Sequence, residues 1–353
     1  MSKYWSHITK RIEPYVPGEQ PRSTSVIKLN TNENPYPPSP KVLDAIRQHI
    51  NEDLKLYPSP TADDLKQAIA KYFNVNEKQV FVGNGSDEVL AFSFLAFFNP
   101  GRDILFPDIT YSFYPVYANL YGLNYREISL TEDFTIPVEQ FYDAPGGVIF
   151  PNPNAPTGIA LTLESIERIL KHNREKVVIV DEAYIDFGGD TAVSLIPKYE
   201  NLLIIQTLSK SRSLAGMRIG FALGNEQLIE GLERIKNSFN SYTLDRLSLA
   251  AGKVAIEDVD YFNETREKIM ATRERVAKEL KNLSFHVLDS KANFLFIRHD
   301  TVPSKHIYEK LKEQGIYVRY FKKMRIDQFI RVTIGTETEM DSFIQAVKSI
   351  VQN

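Results

Sequence analysis

The chain has 353 residues, with 43% hydrophobic and 25% charged, a net charge of -3 and no cysteine. That length suits two domains with a cleft between them, while the balanced charge argues against a nucleic-acid surface or a polybasic membrane patch. Without cysteine there are no disulfides, no thiolate catalysis and no Cys-based metal site. The longest apolar run, residues 89–98, is far short of the roughly 20 that span a bilayer. The N-terminus has no apolar signal region, so the sequence reads as cytoplasmic.

Residues 1–37 are rich in proline and asparagine, with only 26–29 resembling a strand. Ser39-Pro40 is a cap followed by proline at the first helical position, and Val42, Ala45, Ile46 and Ile50 give that helix an apolar face. Residues 56–60, Leu-Tyr-Pro-Ser-Pro, form a rigid loop, and 61–64 predict a capping box for a helix bearing Leu65, Ala68, Ile69 and Tyr72. Strand and helix patterns then alternate. Strands are expected at 80–82, 103–106, 122–128, 147–150, 176–180, 202–206 and 219–223, with an apolar helix after residue 85 and another at 162–172. Helical patterns fill 226–282. Two strand and helix pairs, 293–298 with 305–314 and 329–334 with 340–351, close the chain. The pattern predicts an α/β fold: a large domain with a mostly parallel central sheet over 41–260, and a smaller α+β domain over 261–353 completed by an N-terminal arm, 1–40.

In open α/β sheets ligands sit beyond the carboxyl ends of the strands. After 80–82 comes Gly85-Ser86-Asp87 at a helix start, where backbone amides favour a phosphate, although taken alone a plain capping turn is the better reading. After 147–150 comes a turn dense in proline and asparagine, residues 151–158. After 176–180 comes Asp181, a carboxylate that needs a partner at the buried end of a valine-rich strand; Tyr184 follows it. After 202–206 come Thr207, Ser209 and Lys210, with Arg218 eight residues on. A desolvated lysine is the usual nucleophile toward an aldehyde, and hydroxyls with an arginine suit a phosphate. An amine, a carboxylate, an amide and a phosphate cradle on one sheet edge are the parts that pyridoxal 5'-phosphate (PLP) requires.

These motifs, with Leu29 to Pro35 (Leu-Asn-Thr-Asn-Glu-Asn-Pro) and residues 331–336 (Arg-Val-Thr-Ile-Gly-Thr), resemble the histidinol-phosphate branch of the fold type I PLP-dependent aminotransferases over nearly the whole chain. The resemblance implies Lys210 as the imine-forming lysine and base, and Asp181 beside the pyridinium nitrogen. It implies Tyr184 at the phenolic oxygen, Tyr111 on the ring face, and Gly85, Ser86, Asp87, Thr207, Ser209 and Arg218 around the phosphate. It also implies a homodimer in which Tyr57 reaches the cofactor phosphate of the neighbouring subunit. One position departs from the family pattern: Ala155 stands where an asparagine usually precedes the proline, leaving Asn154 as the candidate amide. Tyr15, Asn32, Arg319 and Arg331 are the residues implied for a small phosphorylated amine, with 2-oxoglutarate and glutamate as the other partners. Threonine-phosphate decarboxylation and aromatic amino-acid transamination are the rival activities on the same motifs. A PLP-binding regulator is disfavoured, because no DNA-binding helix pair or basic segment flanks the domain.

Overall fold

The computed structural model describes residues 2–15, 18–21 and 26–352; the parts of the expected arm at 16–17 and 22–25 lie outside them. Seven strands build the main sheet: β2 (Val80–Asn84), β3 (Ile104–Pro107), β4 (Tyr125–Ile128), β5 (Gly147–Pro151), β6 (Val178–Asp181), β7 (Leu202–Thr207) and β8 (Ile219–Gly224). Their spatial order is β2-β8-β7-β6-β5-β3-β4. All run parallel except β8, which is antiparallel to both of its neighbours.

Strands β5 to β8 are buried from end to end, as their continuous apolar runs require of a sheet covered on both faces. The two-residue period sorts their side chains. Leu202 and Ile204 join the core beneath α3 (Asp63–Phe73), α6 (Leu163–Lys171) and α8 (Arg246–Glu257), whereas Leu203 and Ile205 join the core beneath α4 (Gly85–Phe97), α5 (Tyr114–Tyr121) and α7 (Glu226–Phe239). Two expected details differ. The 122–128 strand begins only at Tyr125, because Gly122 ends α5 in a left-handed cap. The capping box at 61–64 does not form: Ala62 is the N-cap in a left-handed conformation, and the Thr61 hydroxyl donates to Asp63 instead of accepting from a backbone N–H.

A second, antiparallel sheet has the order β12-β13-β10-β9, from β9 (Phe285–Val287), β10 (Phe294–His299), β12 (Arg319–Tyr320) and β13 (Ile330–Thr333). It packs with α9 (Val259–Asn282), α10 (Ser304–Glu313) and α11 (Glu337–Gln352) around Ile269, Leu280, Leu311 and Phe343. The N-terminal segment enters this core. Its strand β1 (Ile27–Lys28) pairs in parallel with β11 (Ile316–Tyr317), and Leu29 is buried among the same side chains. Of the remaining helices, α1 (His7–Arg11) is exposed apart from a hydrogen bond from Arg11 to the Asn119 carbonyl, and α2 (Pro40–His49) packs on α8 and buries Val42 in the core of the large domain.

One glycine of β8 fixes where the first turn of α4 can sit. A Cβ on Gly220 would lie 2.3 Å from the Ser86 nitrogen and 2.4 Å from the Gly85 carbonyl carbon, so the strand can pass under the helix start only without a side chain. Gly220→Ala should therefore destabilise the fold by about 2 kcal/mol or more, as for an overpacked core. Gly216→Ala, where a Cβ would meet nothing within 4 Å, should stay within roughly 0.5 kcal/mol of the parent. Urea unfolding of the two variants checks the contrast.

Candidate active site

A cleft opens at the carboxyl ends of β5, β6 and β7, beside the start of α4, and is closed on its other side by the 30–32 turn and the β12-β13 edge. It brings together Tyr15, Asn32, Ser86, Asp87, Tyr111, Asp181, Tyr184, Thr207, Ser209, Lys210, Arg218, Arg319 and Arg331. Three of the expected residues do not line it. Gly85 lies just beneath, with a positive φ of 77° and so close to Arg218 that a Cβ would stand 2.7 Å from the guanidinium. Asn154 turns away, its amide nitrogen donating to the Ile109 carbonyl at 3.0 Å and to Thr157 at 3.2 Å, while Ala155 and Pro156 face the cleft. Tyr57 is 79% exposed and stacks on Tyr242 at 4.7 Å.

Lys210 follows the last residues of β7, where Thr207 accepts from the Ser209 amide and donates to the Ser209 hydroxyl. Its ammonium donates to the Thr31 carbonyl at 3.1 Å, and its own carbonyl accepts from Asn34. The lysine is thus held at both ends by the N-terminal segment. Nearby, the start of α4 has no side-chain cap from Asn84, so its first-turn amides and helix dipole face Ser86, Ser209 and Arg218. Asp87 anchors that corner by accepting from Arg218 at 2.9 Å and from the Tyr111 hydroxyl at 2.7 Å. Burial and the Asp87 charge push the Tyr111 phenol far above its ordinary range, which keeps it a neutral donor.

Asp181 stands at the end of β6, buried, accepting from the Tyr114 hydroxyl at 3.0 Å and from the Ala183 amide at 3.2 Å. It forms no ion pair among the described residues, and burial pushes its carboxyl up to about 6 despite both hydrogen bonds. A cationic ring nitrogen is the kind of partner such a carboxylate lacks. The adjacent Glu182 is different in kind. It is fully buried but satisfied by Thr191, the Ala192 amide and Gln206, which makes it a tie between β6 and its surroundings.

At the opposite wall Arg319 of β12 and Arg331 of β13 are directly opposed across an antiparallel pair, where like charges repel. Neither has a carboxylate partner among the described residues; Arg331 donates to the Asn30 carbonyl and leaves its buried Nε without a partner. Both guanidiniums lie against the Phe321 ring, at 5.7 and 5.9 Å. Two cations sharing a wall, with Arg331 desolvated by burial, suit an anion with several oxygens. Tyr15 completes that wall, stacked on Phe113 at 4.2 Å.

Sequence reasoning missed Thr31, Thr110, Tyr114 and Phe321. Thr110 lines the cleft with its buried hydroxyl unpartnered, and only its place beside Tyr111 could have suggested it. Together the uncapped helix start, the unpaired Asp181, the free hydroxyl of Thr110 and the amine of Lys210 fit a phosphorylated aromatic aldehyde such as PLP. No group of three or more His, Cys, Asp or Glu side chains among the described residues could hold a metal.

The chain is similar to known proteins over most of its length. A family model described as aminotransferase class I and II matches residues 24–347. A histidinol-phosphate aminotransferase of Clostridium botulinum (strain 657 / Type Ba4) is 59% identical over 351 residues, 99% of each chain. Among solved structures, a histidinol-phosphate aminotransferase from Clostridium acetobutylicum is 27% identical with a TM-score of 0.86, covering 93% of this chain and 100% of its own. Another from Sinorhizobium meliloti, in complex with pyridoxal-5'-phosphate, is 24% identical with a TM-score of 0.83, covering 92% and 91%; its likeness speaks to the fold.

Asp181 has a measurable consequence in protein free of cofactor. Its carboxyl is raised from near 3.9 unfolded to about 6 folded, so the stability carried by its protonated form is complete below about pH 4 and is lost as pH rises through 6. Cofactor-free Asp181→Asn should therefore exceed the parent in stability by on the order of 2 kcal/mol at pH 8, and the gap should close toward pH 4. Urea unfolding across that range is the measurement, and a gap that widens on acidification contradicts it.

Proposed function

The chain belongs to the aminotransferase class I and II family, and from that membership we propose that it moves the amino group of L-histidinol phosphate to 2-oxoglutarate, yielding imidazole-acetol phosphate and glutamate, as a step of histidine biosynthesis in the cytoplasm. The observation that carries the choice of substrate is the opposed pair Arg319 and Arg331, two guanidiniums at the wall facing Lys210 that have no carboxylate partner among the described residues. A single carboxylate needs one such fork, whereas a phosphate ester has oxygens for two.

PLP, when bound, supplies an aldehyde for amines and a ring that accepts the electron pair left on a substrate carbon. The α4 first turn with Ser86, Thr207, Ser209 and Arg218 would hold its phosphate, Asp181 would keep its ring nitrogen protonated, and the Tyr111 ring would cover one face. The Lys210 amine serves twice, as the nucleophile toward the aldehyde and, once free, as the base that takes the proton from the substrate Cα. Arg319 and Arg331 orient the substrate by its phosphate, which sets that Cα within reach of Lys210.

The test measures glutamate formed from 2-oxoglutarate with histidinol phosphate, threonine phosphate or phenylalanine as the amine. Histidinol phosphate should be the preferred donor, and release of carbon dioxide from threonine phosphate would overturn the proposal. Borohydride treatment of the PLP-loaded protein should leave the pyridoxyl mass on Lys210 in a peptide map. Arg319→Ala and Arg331→Ala should each weaken kcat/KM for histidinol phosphate by about 2 kcal/mol, roughly thirtyfold, and weaken it far less for unphosphorylated histidinol. Equal losses for the two amines would contradict the phosphate assignment.

We also propose that the protein works as a homodimer. The support is an exposed apolar patch in which Tyr57 stacks on Tyr242 beside Leu54 and Leu56. Tyr57 is proposed to complete the cofactor phosphate site of the other subunit. Lys210→Ala and Tyr57→Ala should each be impaired, and heterodimers formed by refolding them together should recover turnover above the sum of the separate proteins. A verified heterodimer without that gain would assign Tyr57 to its own subunit.

A further inference from the structure

Asn32 is held from several sides in the cleft wall. It is 1% exposed and held in the left-handed region at φ 57°, a conformation asparagine tolerates better than most residues. Its amide orientation is fixed by its neighbours. The Thr333 hydroxyl accepts from the Asn32 backbone N–H at 3.0 Å, so its own hydrogen goes to Asn32 Oδ1, also at 3.0 Å. Asn293 donates to the Asn32 carbonyl. What remains is the Nδ2 group, which faces the Tyr184 hydroxyl at 3.0 Å and donates to it.

That donation determines what Tyr184 can do. With its oxygen accepting from Asn32 and no further hydrogen-bond partner among the described residues, the phenol keeps its own hydrogen for the cleft that it lines. The 151–158 turn supplies no competing side-chain amide. Asn152 is spent on Leu161, Asn154 on Ile109 and Thr157, and the cleft-facing residue is Ala155.

We infer that Asn32 is a positioning residue for Tyr184: by donating to the phenol from behind, it makes the Tyr184 hydroxyl a one-way donor toward an anionic oxygen in the cleft. Its amide is committed to that task and to Thr333, and does not bind substrate directly. The inference rests on the reading of the cleft as a PLP site, whose phenolic oxygen is the acceptor.

The experiment is a double-mutant cycle read by the Kd for PLP and by the visible absorption maximum of the bound cofactor, with no turnover involved. Asn32→Asp keeps the shape, the tolerance of a left-handed backbone and the bond from Thr333, but puts an acceptor behind Tyr184, so the phenol hydrogen turns away from the cleft. It should raise Kd by about tenfold and move the absorption maximum, as Tyr184→Phe should, and the double variant should be no worse than either alone. Asn32→Gly, which removes the amide and relaxes the backbone, should fall between parent and Asn32→Asp, and it decides the matter if Asn32→Asp does not fold. Losses that multiply in the double variant, or position-32 variants with the parent's Kd and spectrum, overturn the role of Asn32 and leave the cofactor reading intact. A parent that takes up no PLP overturns that reading and this inference together.

Discussion

Burial of strands β5 to β8 on both faces governs where chemistry can occur in this molecule. The apolar positions of these strands are committed to one of two cores, and the polar side chains that face the cleft stand where a strand ends. Asp181, Thr207 and the Lys210 that follows are such endings, and the parallel direction of β5, β6 and β7 puts them on one edge. The antiparallel β8 serves the same edge from the other direction. Arg218 sits at its start, so reversing this one strand delivers an arginine where the parallel strands deliver their final residues.

The apolar runs made the sheet legible in the sequence, since continuous burial leaves an unbroken signature, and with the sheet came the positions of Asp181 and Lys210. Three features were not legible, for distinct reasons. Gly220 looks like any glycine in a strand, and its role depends on a helix start more than a hundred residues away in sequence. Asn154 and Ala155 are neighbours in a turn, and which one faces the cleft is set by the Ile109 carbonyl and Thr157 capturing the Asn154 amide. Tyr114 carries no motif, yet its hydroxyl donates to the Asp181 side chain alongside the Ala183 amide. Local pattern finds what a residue's own neighbours dictate. It fails where a distant element completes the arrangement.

The electrostatics of the cleft are divided between its two walls. On the sheet side Arg218 is neutralised by Asp87, so the phosphate-suited corner combines one paired cation with helix amides and hydroxyls. On the opposite side Arg319 and Arg331 have no carboxylate partner among the described residues and repel one another. The first arrangement is stable in itself and suits a cofactor that stays. The second is relieved only when an anion enters, which suits a substrate that comes and goes, because a site that stores repulsion gains most from the transient charge it binds.

The turn at residues 30–34 connects those walls. The Asn30 carbonyl accepts from Arg331, the Thr31 carbonyl from Lys210, the Asn32 amide donates to Tyr184, and Asn34 donates to the carbonyls of Lys210 and Ser211. Consecutive residues can face such different directions because Asn32 adopts a left-handed conformation in their midst, and Thr333 and Asn293 hold it there. The turn is pinned in its own right by Thr31 and Lys28, both bonded to Glu33, whose carboxyl is kept below its usual range by those bonds although burial opposes them. A substrate anion that draws Arg331 toward itself must compete with the Asn30 carbonyl, one residue from the carbonyl that holds the Lys210 amine. The Arg331 guanidinium and the Lys210 amine are therefore parts of one hydrogen-bonded unit, built by a segment that enters the small sheet through β1 and Leu29.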